Sequence, residues 1–168
     1  MVILRIGVLG VLLLMGVLTG FFFAFSFIVM PGFDLIAPVV AIEAMQGINV
    51  AVRNAMFFVP FFLTPVFGIS CTVLAWMLAQ KKVALMILGA SGLYVLGGFL
   101  LTMLYHVPMN EALGVLDARA LGEEAAAVWQ NYTTDWTPWN TFRTAVCLIA
   151  MVPLAMAYGA IPRQTATG

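Results

Sequence analysis

Few side chains in this 168-residue sequence could do chemistry. His106 is the only histidine; a lone imidazole can exchange a proton near neutral pH but cannot build a multi-histidine metal site within one subunit. Trp136, Trp139, Asn140 and Arg143 lie within one short stretch, and the three-residue spacing of Asn140 and Arg143 puts them on one helix face. A guanidinium and carboxamides can hold an oxyanion, and indoles can stack on a flat ligand. Asn110, four residues after His106, adds a further hydrogen-bonding group. Plainer readings stand beside these: His106 as an interfacial residue ending a helix, and the tryptophans as an aromatic belt at a membrane boundary. Cys71 and Cys147 stand singly and read as small packing residues. There is no CxxC, HExxH or glycine-rich phosphate loop.

The elements that must position these groups are membrane helices. The composition is 64% hydrophobic and only 8% charged, against about 25% charge in a soluble domain. Uncharged apolar runs cover about 6–30, 55–79 and 83–105, with a fourth over 144–161 that Thr137-Pro138, as N-cap and first helical residue, extends back to 138. Backbone hydrogen bonding in hydrocarbon makes these runs helices, so the expected fold is an all-α integral membrane protein: a four-transmembrane-helix bundle with two helical extracytoplasmic caps. One membrane domain, 1–168, is expected, with caps at 31–54 and 106–137. The first run is too long for the apolar core of a cleaved leader and reads as a span. Gly16 and Gly20, and Gly89, Gly92, Gly97 and Gly98, are candidate close helix contacts.

The formal net charge is zero, with seven basic and seven acidic residues, which leaves no electrostatic footprint for nucleic acid. The charges are nevertheless segregated. Arg5, Lys81, Lys82 and Arg163 fall on the short-loop side, and every acid falls in the two long connections with Arg53, Arg119 and Arg143. The positive-inside rule then predicts a cell or inner membrane protein with both termini inside and both caps outside.

Between 38 and 54 a helical projection gathers Ala41, Ala44, Met45, Ile48 and Val52 on one face and Glu43, Gln46, Asn49 and Arg53 on the other. An arginine one to two turns inside a membrane helix needs a partner, and Glu43 is the first candidate for Arg143, Asp135 the second. Pro108 predicts an extended Val107, which places His106 at the mouth of the bundle, and Asn110 is expected to cap the helix that follows. Phe21, Phe22, Phe23, Phe25 and Phe27 either pack and face lipid or wall a flat apolar pocket.

Thr19-Gly20-Phe21-Phe22-Phe23-Ala24-Phe25-Ser26, Met30-Pro31-Gly32, Ala44-Met45-Gln46-Gly47-Ile48-Asn49, Arg53-Asn54, His106-Val107-Pro108-Met109-Asn110 and Trp139-Asn140-Thr141-Phe142-Arg143-Thr144 together resemble the anthrone oxygenase-like family of small four-helix membrane proteins. Family members often have Asn where His106 stands and His where Thr141 stands. The resemblance implies oxidation of anthrones to anthraquinones with molecular oxygen and without metal or flavin. It assigns Asn49, Arg53, Asn110, Asn140 and Arg143 to a polar pocket.

Such chemistry needs one base, an oxyanion holder and a dry flat pocket. His106 is the candidate base, Arg143 with Asn140 or Asn110 the oxyanion site, and Trp136 and Trp139 the stacking walls, with Asn49, Arg53 and Glu43 as substrate contacts. No cofactor or metal is expected. The partners are the bilayer, a lipophilic aromatic molecule and O2, and a homo-oligomer is compatible with the sequence. The alternative is a non-catalytic membrane protein that binds a small lipophile or a partner protein; haem ligation through His106 and transport are lesser readings, and no mid-span ionisable residue marks an ion path.

Overall fold

The computed structural model describes residues 1–162, and Arg163, assigned above to the short-loop side, lies outside them. Five helices organise the described residues: α1 (Val2–Phe33), α2 (Pro38–Ala51), α3 (Ala55–Met77), α4 (Lys81–Gly114) and α5 (Ala125–Ala160). No strand occurs among the described residues. α1, α3, α4 and α5 are each long and apolar enough to cross a bilayer. They pack as neighbours in the cyclic order α1, α3, α4, α5, while α2 lies against α5 and the end of α4. Side chains such as Ile3, Leu13, Val66, Ile69, Leu96 and Ile149 form an exposed apolar coat that matches lipid rather than water.

The local causes are legible. Asn54 caps α3, its Oδ1 accepting from the backbone N–H of Met56 at 2.8 Å and of Phe57 at 3.2 Å. The α3–α4 hairpin turns through Ala79, a non-glycine residue at φ 57°. Among the glycines with contact roles expected, Gly97 is where α4 and α5 approach most tightly, since an added Cβ would lie 2.6 Å from Val146 Cγ1. Gly98 is also crowded, by Tyr94 and Cys147. Gly20, Gly89 and Gly92 face open space, and Gly16 meets Met151 only at ordinary contact distance.

Two proline readings are corrected. Pro138 does not start the last helix, because α5 is continuous from Ala125 and holds Pro138 and Pro153 inside it. A proline in a membrane helix leaves a carbonyl without its N–H partner, a loss that neighbouring helices and hydroxyls can make good. Nor is Val107 extended: it is helical, with φ −62° and ψ −51°. The turn before Pro108, Thr102–His106, widens into a π-helix in which the Val107 N–H bonds to the Thr102 carbonyl five residues back. That widening relieves the clash a proline ring makes with the preceding turn, so α4 runs on to Gly114 and Asn110 lies within it rather than capping a new helix.

Pro65 shows how such a lost bond is replaced. It offers no N–H to the Phe61 carbonyl, and the fully buried Tyr94 hydroxyl of α4 donates to that oxygen at 2.8 Å. Tyr94→Phe should therefore lower unfolding stability by about 1 kcal/mol, whereas Tyr105→Phe, on a half-exposed ring, should change it little. Equal midpoints for wild type and Tyr94→Phe in a thermal or denaturant titration of the detergent-solubilised protein would refute this role.

Candidate functional site

A polar layer separates two apolar cores. One core, built on Leu4, Val8, Val11, Met15, Ile87, Ala150 and Leu154, fills the end nearer the chain termini. The other, built on Met30, Ala41, Ile42, Met45, Leu113, Trp129 and Tyr132, joins the cap segments to the helix ends. Between them lie Ser26, Thr102, His106, Asn140 and Arg143, all buried.

Arg143 is only 3% exposed. Its Nη1 donates to Thr102 Oγ1 at 2.7 Å, its Nη2 donates to Asn140 Oδ1, and its Nε has no partner. The guanidinium carbon sits 4.2 Å from the Phe22 ring centre and 5.8 Å from that of Trp136, so two aromatic faces share in holding the charge. The expected carboxylate partners are not there. Glu43 instead pairs with Arg119 at 2.6 Å, and Asp135 is exposed; among the described residues Arg119 with Glu43 is the ion pair found. The hydrogen bond that Arg119 donates to Glu43, and then the charge of Glu43, raise the Arg119 guanidinium above its ordinary pKa. Hydroxyl, carboxamide and π-faces replaced the carboxylate because an unneutralised guanidinium in a polar layer can be held by neutral acceptors alone.

The acceptors are themselves fixed. Asn140 Nδ2 donates to the Phe22 carbonyl and to Ser26 Oγ, both at 2.7 Å, which aims its oxygen at Arg143. Thr141 Oγ1 lies 3.0 Å from Ser26 Oγ in the same network. Thr102 Oγ1 donates to the Gly98 carbonyl at 2.7 Å and so presents its lone pairs to Arg143. Gly98 lies inside a π-helical stretch, Tyr94–Leu100, and Phe22 stands just before another, Phe25–Val29. Departures from the α-helical bonding step thus coincide with the site, as such turns often do.

His106 is 1% exposed, buried rather than at the mouth. Its Nε2 lies 3.3 Å from the Trp136 carbonyl. A carbonyl only accepts, so this contact requires the proton on Nε2 and leaves Nδ1 with the lone pair in the neutral ring. Nδ1 has no hydrogen-bond partner; the Leu101 carbonyl, one π turn back, acts on the ring without reaching hydrogen-bond geometry. The ring meets Trp136 edge to face at 5.1 Å.

These groups border a chamber of about 310 Å³ between α1, α2, α3, α4 and α5, within the usual range for small-molecule sites, ~300–1,000 Å³. Phe21, Phe22, Phe25, Phe57, Phe61 and Trp136 form aromatic walls; Asn49, Thr102, His106, Asn110 and Arg143 supply polarity; and the exposed Arg53 and Glu111 stand at its rim. Asn49 turns inward from α2, and its Nδ2, beside the Tyr132 hydroxyl, finds no acceptor in hydrogen-bond geometry. Gln46, also expected on the outer face, reaches inward to donate to the Leu113 and Leu116 carbonyls. Asn110 Oδ1 accepts from the Tyr132 hydroxyl and from Trp136 Nε1, both at 2.8 Å, and so fixes the indole that faces the chamber.

The chamber therefore collects His106, Arg143, Asn110, Asn49, Arg53 and Trp136. Asn140 stands behind Arg143 rather than on the lining. Trp139 points away, against Tyr105 and Phe142, and Glu43 is engaged outside with Arg119. Of the phenylalanine cluster, Phe21, Phe22 and Phe25 face the chamber, while Phe23 and Phe27 are exposed. Sequence reasoning missed Thr102, Ser26 and Phe57. Thr102 was within reach, since it precedes His106 by four residues, but the helix was expected to end before His106. No three His, Cys, Asp or Glu side chains gather closely enough for a metal site among the described residues.

Fold and site define an integral membrane four-helix protein with an aromatic-walled, cation-bearing chamber. The model of the anthrone oxygenase family matches residues 52–153, and the chain belongs to that family. The matched stretch carries Arg53, His106, Asn110, Trp136, Asn140 and Arg143 but not the aromatic wall given by α1. No curated protein and no solved structure matches the chain.

Removing one partner of a buried polar group costs far more than trimming an exposed pair. Arg143→Ala should therefore lower the yield of folded protein and its melting temperature well beyond Arg119→Ala. Equal, mild shifts in the two variants would remove Arg143 from its central place.

Proposed function

We propose that the protein is a cofactor-independent oxygenase for a lipophilic, anthrone-like aromatic. The observation that carries this reading is the set of three buried groups without partners, His106 Nδ1, Arg143 Nε and Asn49 Nδ2, on residues lining one aromatic chamber. Buried polar atoms are seldom left unpaired without a functional reason, and these supply one lone pair and two donors. Family membership supports the same direction without fixing substrate or chemistry.

In this reading the flat substrate lies among Phe21, Phe57 and Trp136 with its carbonyl oxygen toward Arg143. His106 Nδ1 removes the carbon-bound proton, and the electron pair moves to the oxygen, where Arg143 stabilises the enolate charge. The enolate gives one electron to O2; the substrate radical and superoxide join through a carbon–oxygen bond, and the peroxide takes up a proton. Loss of water then leaves the quinone. One anthrone and one O2 yield one anthraquinone and one water. Asn140 and Thr102 act as positioning residues, because they hold Arg143 without reaching the chamber's reacting centre through their own donors. The chamber lies at the end of the bundle rich in acids, which the positive-inside rule places outside the cytoplasm.

The test is anthrone oxidation by purified protein in air and under nitrogen, followed by oxygen uptake and anthraquinone formation. Wild type should outpace the protein-free reaction in air only. His106→Ala should cut the protein-dependent rate roughly 10²- to 10⁴-fold, and Arg143→Gln roughly 10²- to 10³-fold. Identical rates with and without protein in air would end the oxygenase reading. Tight binding of the aromatic without oxygen uptake would instead favour the non-catalytic lipophile-binding alternative.

A further inference from the structure

A second cavity, about 470 Å³, lies between α1, the end of α2 and the first turns of α3. It runs along α1 from Val17 to Val29 and meets Ala51 of α2 and Met56 and Pro60 of α3. Its one polar lining residue, Asn54, has its side chain committed to the Met56 and Phe57 N–H groups and to the Ala51 carbonyl. Val17 and Met56 are 61% and 85% exposed, so the groove opens onto the apolar coat of the bundle, the surface that faces lipid.

This groove and the chamber share Phe21, Phe25, Ile48, Val52 and Phe57. The partition between them is one side chain thick and wholly apolar, and every polar group of the chamber lies elsewhere on its lining. Phe57 packs on Phe21 with ring centres 5.1 Å apart and is only half-buried. It stands in the first turn of α3, where Pro60 offers no N–H to the Met56 carbonyl and so leaves that turn with one intrahelical bond fewer. Rotamer changes in such a side chain need no movement of the bundle. Elsewhere the chamber's margin carries the charged, exposed Arg53 and Glu111, which an apolar molecule dissolved in the bilayer could reach only by first leaving lipid for water, and, between α3 and α4, the exposed Phe58, Phe62 and Met103, where Phe62 packs edge to face against Phe58, Phe61 and Phe99.

We propose that this groove is the door by which a lipophilic polycyclic aromatic passes sideways from the bilayer into the chamber, with Phe57 as its moving leaf. The inference rests on the reading that the chamber holds such a molecule. Val17 and Ala51 line the groove and not the chamber, so filling them obstructs the door without touching the binding machinery. Alizarin carried in phosphatidylcholine vesicles serves as the probe, mixed rapidly with protein in lipid nanodiscs and followed by quenching of tryptophan fluorescence. Val17→Phe and Ala51→Phe should each slow association at least tenfold and leave the equilibrium affinity unchanged, because a door changes both rate constants alike. Val50→Phe, on an exposed position that lines neither cavity, should bind at the wild-type rate. If a phenylalanine variant fails to fold, Ala51→Cys labelled with a bulky maleimide after folding gives the same obstruction, since Cys71 and Cys147 are buried. Wild-type association rates in the obstructed proteins would overturn the door, as would slowing confined to Arg53→Ala and Glu111→Ala. Absence of any quenching in wild type would overturn the chamber reading itself, and the door with it.

Discussion

A positive charge held inside a membrane bundle without a carboxylate governs this structure. Arg143 is nearly inaccessible, and a guanidinium in such a place demands acceptors in a fixed fork around it. Thr102 and the Asn140 oxygen provide them, and each is oriented by a second bond, to the Gly98 carbonyl and to the Phe22 carbonyl with Ser26. The consequence extends to three helices at once. α1 must present a backbone oxygen to α5, α4 must present a hydroxyl, and the rings of Phe22 and Trp136 must lie over the charge. The aromatic character of the chamber is thus coupled to the solvation of Arg143.

The helices meet that demand through local irregularity. Regular α-helices satisfy their own carbonyls and have little to offer a neighbour. Here π turns lie at Phe25–Val29, Tyr94–Leu100 and Thr102–His106, and prolines interrupt α3 and α5. The Tyr94 hydroxyl takes the oxygen that Pro65 leaves behind, and Pro108 coincides with the widening that keeps His106 and Thr102 on the same chamber. What would be defects in an isolated helix become the points at which helices bond to one another.

This accounts for what was legible in the sequence and what was not. Four apolar runs identify the spanning helices because hydrocarbon permits few other solutions. His106, Arg143, Asn110 and Trp136 stand out because polar groups at membrane boundaries are scarce, and the chamber does gather them. Proline rules learned from helices in water misplace the start of α5 and the path of Val107, since packing against neighbours outweighs the local preference. Charge alone points to Glu43 as the partner of Arg143, whereas Glu43 sits on the outside of α2 with Arg119 beside it. The inward turn of Asn49 and Gln46 is a matter of helix rotation about a broad apolar face, which projection fixes only to within a residue or so.

The same constraint explains why imidazole and guanidinium can share one small space. A carboxylate beside Arg143 would occupy its donors and would add a fixed negative charge to the chamber. Neutral acceptors hold the guanidinium in place yet leave Nε unpaired and the positive charge uncompensated. His106, tied through Nε2 to the Trp136 carbonyl, keeps Nδ1 unbonded in the same layer. Trp136 links the two, since its carbonyl fixes the imidazole, its ring lies over the guanidinium, and its indole N–H is anchored on Asn110. A displacement of that one residue would disturb imidazole, guanidinium and wall together, so the geometry of Trp136 rather than the identity of any single charged group sets how well the chamber is organised.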